Sequence, residues 1–372
     1  MSPRRLWAVA RKETLQLRRD PRSLVLAFAL PLLLLVLFGY AITWDVDDVE
    51  TAVLDQDRSD RSRALLDAFE SSGYFRIERR LDGAGEIRPL LEAAAVDLVL
   101  VVPPDFARDL AAGGAPADLQ AIVDGSDANT ATIVLAYVQG VVASFSRSAE
   151  VSAEVFRPPL EVRSRVWYNE ELESRNMIVP GLVAVIMMII AAMLTSLTIA
   201  REWERGTMEQ LAATPVSRLE LVLGKVLPYL GIGLVDVVAS SVLGVVLFGV
   251  PFRGSPALLM VLSFFFLLGS LGLGMFISAV SRSQLLATQV AMVATFLPAF
   301  LLSGFMFAIS VMPAALQAVT YLVPARYFLV VTRGIFLKGV GVAVLQVQGL
   351  LMVAYAALGL GLAVVAFRKE LE

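Results

Sequence analysis

Long apolar runs divide this chain more clearly than any other pattern. The first run covers residues 24–42, and about 20 consecutive apolar residues are enough to cross the hydrocarbon core of a bilayer as a helix. Five further runs follow a long, more polar segment, at residues 177–200, 226–250, 257–280, 285–309 and 345–367. The pattern predicts an α-helical integral membrane protein with about six transmembrane helices.

The first apolar run has a second interpretation, a secretory signal peptide. The apolar region of a signal peptide is about 7–15 residues long and ends in a small-residue cleavage site. This run is longer and ends in Tyr40, Ile42 and Trp44, side chains that suit the membrane interface. We therefore interpret residues 23–44 as an uncleaved first transmembrane helix.

Residues 1–22 combine apolar and basic positions at helical spacing. The apolar positions include Leu6, Val9, Ala10, Leu15 and Leu17. The basic positions are Arg4, Arg5, Arg11, Lys12, Arg18, Arg19 and Arg22. This pattern predicts a cytoplasmic amphipathic helix on the inner membrane surface, and a plain basic anchor is the alternative. Asp20-Pro21 would end the helix and turn the chain into the bilayer.

Residues 45–175 have a different pattern, in which short apolar runs alternate with helical ones. Strands are predicted at residues 52–54, 96–102 and 119–123, and helices at residues 62–71 and 106–112. A long helix is expected from residue 130 to about residue 156, followed by a polar strand at residues 160–168. The pattern predicts an inserted α/β domain in water, outside the bilayer.

Residues 311–340 are apolar but contain features that oppose a straight transmembrane helix. Pro313, Pro324, Arg326, Arg333 and Lys338 all fall in this stretch. We predict a re-entrant segment of one or two short helices, because such breaks are tolerated at membrane depth only where they are buried in protein. A single full span is the alternative.

Charge and composition agree with this division. Of 34 acidic and 31 basic residues, 25 acidic and 13 basic ones fall within residues 45–175, which leaves 9 and 18 for the rest. Basic residues lie between the second and third runs, between the fourth and fifth, and after the last. With an even number of spans, all of them face the cytoplasm, where Lys and Arg accumulate. The sequence therefore predicts a multi-pass protein of the plasma (inner) membrane, with cytoplasmic termini and an extracytoplasmic α/β domain.

Composition also excludes several kinds of chemistry. The chain has 57% hydrophobic and only 17% charged residues, with no Cys and no His. Without Cys there is no disulfide framework and no thiolate chemistry. Without His the usual zinc ligand and the usual general base are both missing. We therefore predict no catalytic and no metal-binding residues.

The remaining segment, residues 176–372, holds the second to sixth spans and a charged loop at residues 201–225. Thr207 with Gln210, and Ser217 with Glu220, each match a capping box that starts a helix. Thr214-Pro215 would end the first of these helices. A short, capped helix below the bilayer gives a partner protein a rigid element to move, and an ordinary structured loop is the alternative.

Two long blocks of sequence resemble a known family. Residues 204–211 (Glu-Arg-Gly-Thr-Met-Glu-Gln-Leu), followed by Thr214-Pro215 and Gly224-Lys225, are similar to the first intracellular loop of ABC-2 type permeases. Residues 302–339, which include Leu302-Ser303-Gly304-Phe305 and Arg326-Tyr327-Phe328, resemble a late segment of the same family, although Ala308 stands where the family often has Pro. The large segment between the first two spans resembles the subgroup with an extracytoplasmic domain there.

The resemblance implies the membrane-spanning permease subunit of an ATP-driven exporter. Such a subunit moves hydrophobic or amphiphilic substrate out of the cytoplasm or the inner leaflet, in contact with membrane lipid. It forms a homodimer, or a heterodimer with a related permease, and the use of a periplasmic adaptor is left open. No nucleic-acid partner is expected. The alternative is a non-transporting membrane scaffold or sensor whose outer domain binds a ligand.

ATP chemistry is expected on a separate cytoplasmic ABC ATPase subunit, with no cofactor on this chain. Gly224-Lys225 lacks the upstream glycine of a phosphate-binding loop. In the family, the loop helix docks into a cleft on the ATPase. Carried onto this sequence, the resemblance implies that the coupling contacts are Glu202, Glu204, Arg205, Thr207, Glu209, Gln210 and Leu211.

Three charged residues are candidates for a substrate pathway. Asp236 lies about ten residues into the third run, roughly at mid-bilayer, where an ionisable group costs at least ~2.5 kcal/mol to insert. It should therefore contact substrate or a cation, make a structural hydrogen bond to a neighbouring helix, or be a neutral, protonated acid. Arg326 and Arg333 are seven residues apart and share a helical face, where they could meet lipid headgroups, an anionic substrate or carboxylates.

Small residues in the fourth run indicate close helix packing. Ser270 and Gly274 are four residues apart, with Gly269 and Gly272 beside them, and such residues let two helix backbones approach. We predict that this contact lies within one subunit and not between two.

Overall fold

The computed structural model describes residues 2–42, 48–93, 95–112, 117–123, 128–151 and 173–367. The chain divides into two compact units, one formed by residues 1–43 with residues 166–372, and the other by residues 44–165. The strand predicted at residues 160–168 and the end of the helix predicted to reach residue 156 lie outside the described residues.

The chain begins with two helices of the first unit, α1 (Pro3–Arg18) and α2 (Pro21–Ala41). Pro21 starts α2, since proline is tolerated in the first turn of a helix. At ~1.5 Å per residue, α2 is about 32 Å long, which matches the thickness of a hydrocarbon core. Its described apolar part runs over Ala27–Ala41.

The second unit contains a four-stranded sheet and several helices. In chain order its elements are β1 (Val49–Asp55), α3 (Asp60–Ser71), β2 (Phe75–Arg80), α4 (Ile87–Glu92), β3 (Leu98–Val102), α5 (Phe106–Ala112), β4 (Gln120–Val123) and α6 (Ala128–Val151). The strand order is β2-β1-β3-β4, in which β1 pairs in parallel with β2 and β3, and β4 is antiparallel to β3. Apolar side chains of the sheet, α3 and α6, with Phe69 and Phe75 in edge-to-face contact, form the larger core of this unit.

Sequence patterns predicted most elements of this unit but missed β2 and the short helix α4. The segment Phe75–Arg80 alternates apolar Phe75 and Ile77 with charged residues. It lies at the edge of the sheet, where charged side chains remain in water. No strand was predicted there because an edge strand contains few apolar residues.

The first unit continues with eight more helices in the described part. They are α7 (Ser174–Glu204), α8 (Met208–Ala212), α9 (Arg218–Phe248), α10 (Pro256–Ser281), α11 (Gln284–Leu301), α12 (Ala314–Thr320), α13 (Pro324–Arg333) and α14 (Val342–Ala366). Five of these, α7, α9, α10, α11 and α14, are long and apolar enough to cross a membrane. They overlap with the second to sixth apolar runs of the sequence, although α11 ends at Leu301, eight residues before the end of the fifth run. Helix α2 packs against α7 and α9.

Helix α7 forms the centre of this bundle. In its most apolar window 83% of the residues are buried within the chain, against 22% for α11 and α14, which leaves those two helices facing lipid or another subunit. Helix α7 packs against α2, α9, α10, α11 and α13. A displacement at either end of α7 would therefore reach most of the bundle.

The small residues of α10 make the close contacts that the sequence predicted. A Cβ atom on Gly274 would lie 2.2 Å from the carbonyl oxygen of Ala192 on α7, and one on Gly272 would lie 2.6 Å from the carbonyl carbon of Gly359 on α14. Thr195 donates a hydrogen bond to the carbonyl oxygen of Leu271 over 2.8 Å. This packing is within one chain, as predicted.

Residues 311–340 do not form one straight helix. Helix α12 and the segment Pro324–Lys338 are bent by 76° at the break between them, and α13 continues into a π-helical turn at Gly334–Lys338. The backbone N–H of Arg253, before α10, donates to the carbonyl oxygen of Phe336 over 3.0 Å. Two short, bent helices match the form expected of a re-entrant segment, and a broken span has the same form.

Candidate functional site

The loop between α7 and α9 has a fixed backbone. After α7 ends, Gly206 adopts a positive φ of 69°, a conformation that glycine adopts without strain. At the start of α9, the Ser217 hydroxyl accepts from the N–H of Glu220 over 3.3 Å, and the Glu220 carboxylate accepts from the N–H of Ser217 over 2.8 Å. The second predicted capping box is therefore confirmed.

The first predicted capping box is wrong. Helix α8 starts after Thr207, but the Thr207 side chain makes no capping hydrogen bond. Its hydroxyl instead donates to the carboxylate of Glu202. Thr207 also has helical backbone angles, φ −83° and ψ −3°, whereas a capping residue is normally extended, so the sequence motif alone was not sufficient.

The predicted coupling residues divide into an exposed and a buried group. Glu204, Arg205, Glu209 and Gln210 are exposed, while Thr207 and Leu211 are half-buried. Met208, by contrast, is only 3% exposed and anchors α8 to the bundle. Helix α8 thus presents polar side chains on one side and is held by an apolar side chain on the other.

Glu202 is in the buried group, with 5% of its surface exposed. Its carboxylate lies 2.9 Å from Nζ of Lys12 and 3.2 Å from Nζ of Lys225. Lys225, only 1% exposed, also lies 2.9 Å from the carboxylate of Glu13, which accepts a further hydrogen bond from the hydroxyl of Tyr229 over 3.0 Å. We name these five residues, Lys12, Glu13, Glu202, Lys225 and Tyr229, the Lys225 cluster.

The Lys225 cluster joins three separate elements: α1, the end of α7 and the first turns of α9. It contains two acids and two bases, so its buried charges compensate one another, as buried charges must. Next to it, Gly224 packs against α1: a Cβ atom there would lie 2.8 Å from the Cβ of Val9. Arg5 donates to the carbonyl oxygen of Pro215 over 2.6 Å. Helix α1 is therefore fixed to the loop that carries α8.

Sequence reasoning missed Glu13, and it noted Lys225 only in the pair Gly224-Lys225, as part of the family resemblance and as a rejected phosphate-binding loop. The signal was present in α1, where Ala10, Glu13 and Leu17 share the buried face. An acid on the apolar face of an otherwise basic helix indicates a buried cationic partner. Its identity was not readable, because Lys225 is 212 positions away in the chain.

Glu204 links α7 to a second turn on the same side of the bundle. Its carboxylate accepts from the backbone N–H of Gln284 over 2.7 Å and from the Gln284 side chain. The guanidinium of Arg282 lies 4.8 Å from the ring centroid of Trp203. The end of α7 is thereby attached to the start of α11 as well as to α8 and α9.

Asp236 is placed in the middle of α9 and is 1% exposed. Its Oδ1 atom has no hydrogen-bond partner in the described part of the chain, and the same holds for the hydroxyls of Ser240, Ser241 and, on α10, Ser263. The structural hydrogen bond to a neighbouring helix, one of the three expectations for Asp236, is not formed by Oδ1 within the described residues. This half of α9 therefore contains several buried polar atoms without partners.

The two arginines of α13 have different environments. The guanidinium of Arg326 donates to the hydroxyl of Thr320 and lies 4.0 Å from the ring centroid of Tyr321. Arg333 donates through Nε to the carbonyl oxygen of Met177 over 3.2 Å, and one of its terminal nitrogens has no partner among the described residues. The described ion pairs include neither arginine.

Five apolar helices of spanning length, a central α7 and a capped loop fixed by the Lys225 cluster define a polytopic helical membrane protein. Comparisons with known proteins show which family of membrane proteins it belongs to. The family model described as ABC-2 family transporter protein matches residues 21–365. The chain therefore belongs to this family of ABC transporters and is a transport permease subunit.

Individual relatives match all or most of the chain. The chain is 40% identical to the probable multidrug ABC transporter permease YbhS of Escherichia coli (strain K12), over 100% of this chain and 99% of the relative. It is 32% identical to the probable multidrug ABC transporter permease YbhR of the same strain, over 90% of both chains. It is 26% identical to the inner membrane transport permease YhhJ, over 86% of this chain and 85% of the relative.

Proposed function

We propose that this chain is the permease of an exporter for hydrophobic or amphiphilic compounds, driven by a separate cytoplasmic ABC ATPase. Family membership supports transport over the alternative of a scaffold or sensor. The observation that carries the mechanism is the Lys225 cluster, because it joins α1, α7 and α9 into one unit beneath α8. A force applied to α8 then reaches the central helix of the bundle.

The docking surface consists of the exposed side chains around α8. Glu204, Arg205, Glu209 and Gln210 are accessible to a partner, with Thr207 and Leu211 at the edge. Glu202 supports this surface from below, through its bonds to Thr207 and Lys225. Since an ABC transporter needs two membrane halves, the permease pairs with a second copy or with a related permease, and the lipid-facing α11 and α14 are available for this contact.

The topology that serves this function has six spans. Helix α2 is the first, α7, α9, α10, α11 and α14 are the others, and the segment of residues 311–340 is re-entrant. An even number of spans places both termini and α8 in the cytoplasm and residues 45–175 on the extracytoplasmic side, where a periplasmic adaptor would also have to bind. The basic residues beside the loop, Arg201, Arg205 and Arg218, support this orientation.

The names of two relatives and the composition of the bundle support this substrate class. Two relatives are named as probable multidrug permeases, and the spans of this chain are apolar, with few charges. Within them Asp236 offers a buried carboxylate with an unpartnered oxygen, which suits a cationic or hydrogen-bonding group of the substrate. Arg326 and Arg333 lie in the bent segment and are proposed to line the same pathway.

The docking proposal is tested by charge reversal on α8. The tagged permease is purified from its native host, and the ATPase activity that co-purifies with it is measured. Glu209→Lys should abolish co-purification of the ATPase while leaving the permease folded, because Glu209 is exposed and no described ion pair includes it. The matched control is Glu70→Lys, on an exposed position of α3 in the other unit. Equal recovery of ATPase activity with both variants would disprove docking at α8.

The orientation is tested by thiol labelling, which is simple in a chain without cysteine. Ser71→Cys, at the exposed end of α3, should react with a membrane-impermeant maleimide added to spheroplasts. Gln210→Cys on α8 should react only after the membrane is opened. Labelling of Gln210→Cys in intact spheroplasts would show that the orientation is reversed.

A further inference from the structure

Helix α1 has a second face, and its exposed side chains are not accounted for by packing within the first unit. Its buried face contains Ala10, Glu13 and Leu17. The opposite face presents Arg4, Trp7, Arg11, Leu15 and Arg18, all of them exposed. Residues at intervals of three, four and seven fall on one side of a helix, so these five side chains form one continuous stripe, which we name the arginine face.

The arginine face is positively charged without local compensation. Glu13 is the only acidic residue of α1, and it is buried against Lys225. Arg4, Arg11 and Arg18 take part in no described ion pair, whereas Lys12, at the side of the helix, pairs with Glu202. Three guanidinium groups at seven-residue spacing therefore face outward with no anion of this chain beside them in the described part.

Apolar side chains on the same face indicate that this face binds a membrane surface and not a purely polar partner. Trp7 is 68% exposed and Leu15 is 43% exposed, although burying either of these side chains would cost little free energy. Trp and Leu side chains can enter the boundary between headgroups and acyl chains, while the long Arg side chains beside them keep their guanidinium groups at the level of the phosphates. Helix α1 also ends only three residues before the start of the apolar α2, which keeps it at the level of the membrane surface.

We propose that the arginine face binds anionic phospholipid headgroups of the inner leaflet, and that this contact regulates coupling to the ATPase. The chemistry is the pairing of guanidinium groups with phosphate oxygens, which Arg makes in bidentate form, with Trp7 and Leu15 inserted below the headgroups. The proposal rests on the cytoplasmic orientation of α1 in the proposed function.

The route from lipid to coupling loop is visible in the contacts of α1. On its other side α1 provides Lys12 and Glu13 to the Lys225 cluster, whose Glu202 also holds the Thr207 hydroxyl at the start of α8. Arg5 contacts the loop directly, at the carbonyl oxygen of Pro215. A shift of α1 on the membrane surface therefore changes the position of the loop that docks the ATPase.

The experiment uses the complete transporter in nanodiscs with increasing fractions of phosphatidylglycerol in phosphatidylcholine. ATP hydrolysis of the wild type should rise several-fold as the anionic fraction increases, and high salt should weaken the effect because the Debye length shortens. Each arginine removed is expected to reduce the apparent affinity for anionic headgroups roughly fivefold. The variant Arg4→Gln/Arg11→Gln/Arg18→Gln should therefore lose the response to phosphatidylglycerol.

A matched control removes three exposed arginines of the other unit, Arg61→Gln/Arg79→Gln/Arg88→Gln, and should respond like the wild type. An undiminished lipid response in the α1 variant would overturn the proposal. Loss of ATPase co-purification in detergent, where no bilayer is present, would show that the arginine face docks the ATPase and would also overturn it.

A second measurement does not depend on ATPase assembly. A fluorophore on Ala8→Cys, an exposed position beside the arginine face, should be quenched by lipids brominated near the headgroup, and more strongly in phosphatidylglycerol than in phosphatidylcholine. The same fluorophore on Ser71→Cys should not respond. Absence of quenching at position 8 would overturn lipid binding even if the transporter assembles, whereas quenching without ATPase assembly would leave lipid binding intact and contradict the proposed function.

Discussion

The two halves of α9 differ in whether their buried polar groups have partners. In the first half, Lys225 is paired with both Glu13 and Glu202, and Tyr229 completes the arrangement. In the second half, Asp236 and Ser240 are equally buried, yet the atoms Oδ1 and Oγ have no partner among the described residues. Buried polar groups are normally satisfied, so a cluster of unsatisfied ones requires a reason other than folding.

This difference suits a structural role for the first half of α9 and a functional role for the second half. Fully paired groups hold elements in a fixed relation, which the coupling loop needs if it is to transmit a displacement. Unpaired groups are available to something that the chain does not contain, which suits a transport pathway. Four substitutions in α9 and at its N-cap test this distinction, in order of decreasing effect on stability.

Lys225→Met should have the largest effect. It leaves the carboxylates of Glu13 and Glu202 buried without their shared cation, and breaking a buried ion pair on one side costs about 3–5 kcal/mol. Thermal unfolding of the purified chain in detergent should show a large decrease in midpoint. The triple variant Glu13→Gln/Lys225→Met/Glu202→Gln removes all three charges and should recover most of the loss. Wild-type stability of the single variant would mean that the cluster is not structural.

Tyr229→Phe should have the next largest effect. It removes one hydrogen bond to the Glu13 carboxylate, and a hydrogen bond to a charged group contributes about 1.5–3 kcal/mol. Tyr355→Phe is a suitable control, because the hydroxyl of Tyr355 lies 3.4 Å from the hydroxyl of Ser270, at the limit of a hydrogen bond. Thermal unfolding should therefore separate the two phenylalanine variants, and equal midpoints would contradict the importance of Glu13.

Ser217→Ala should have a smaller effect. It removes the side chain that accepts from the N–H of Glu220, and the loss of an N-cap costs about 1 kcal/mol. Because this cap positions the end of the coupling loop, ATP hydrolysis by the complete transporter should fall along with the unfolding midpoint. Ser217→Asn keeps a capping oxygen and should restore both. A variant that loses neither would show that the loop is held by other contacts.

The sequence was sufficient to predict the parts of the fold that depend on local composition. The apolar runs at residues 177–200 and 345–367 correspond closely to α7 and α14, because a segment that must satisfy its backbone inside lipid has to be a helix of spanning length. The Ser217 cap and the contacts of Gly274 could also be predicted, since both depend on residue types at fixed short spacing. The edge strand β2 was missed because its pattern is mostly polar.

The candidate site was predicted only in part. The position of the loop and its exposed residues could be read from the sequence, whereas the burial of Glu202 could not. That burial depends on Lys12 and Lys225, which are 190 and 23 positions away, and pairing over such distances is decided by packing of whole helices. Thr207 was assigned to a helix cap from residue types alone, but its backbone angles, φ −83° and ψ −3°, are helical and not those of a capping residue.

Asp236→Asn should have the smallest effect on stability and a large effect on transport. The amide has the shape of the carboxylate but avoids the cost of an ionisable group within a span, and with no ion pair to break, the unfolding midpoint should stay at or slightly above the wild-type value. Export of a fluorescent hydrophobic cation from proteoliposomes should nevertheless fall, because the amide carries no charge to attract it.

Asp236→Leu provides the matched comparison, since it removes hydrogen bonding as well as charge. Loss of export in both variants with retained ATP hydrolysis would assign the carboxylate to the pathway, and loss in Asp236→Leu alone would assign a hydrogen bond. Normal export in both would exclude Asp236 from the pathway. A decrease in stability as large as that of Lys225→Met would instead mean that Asp236 is as structural as Lys225, and the contrast between the two halves of α9 would then have to be abandoned.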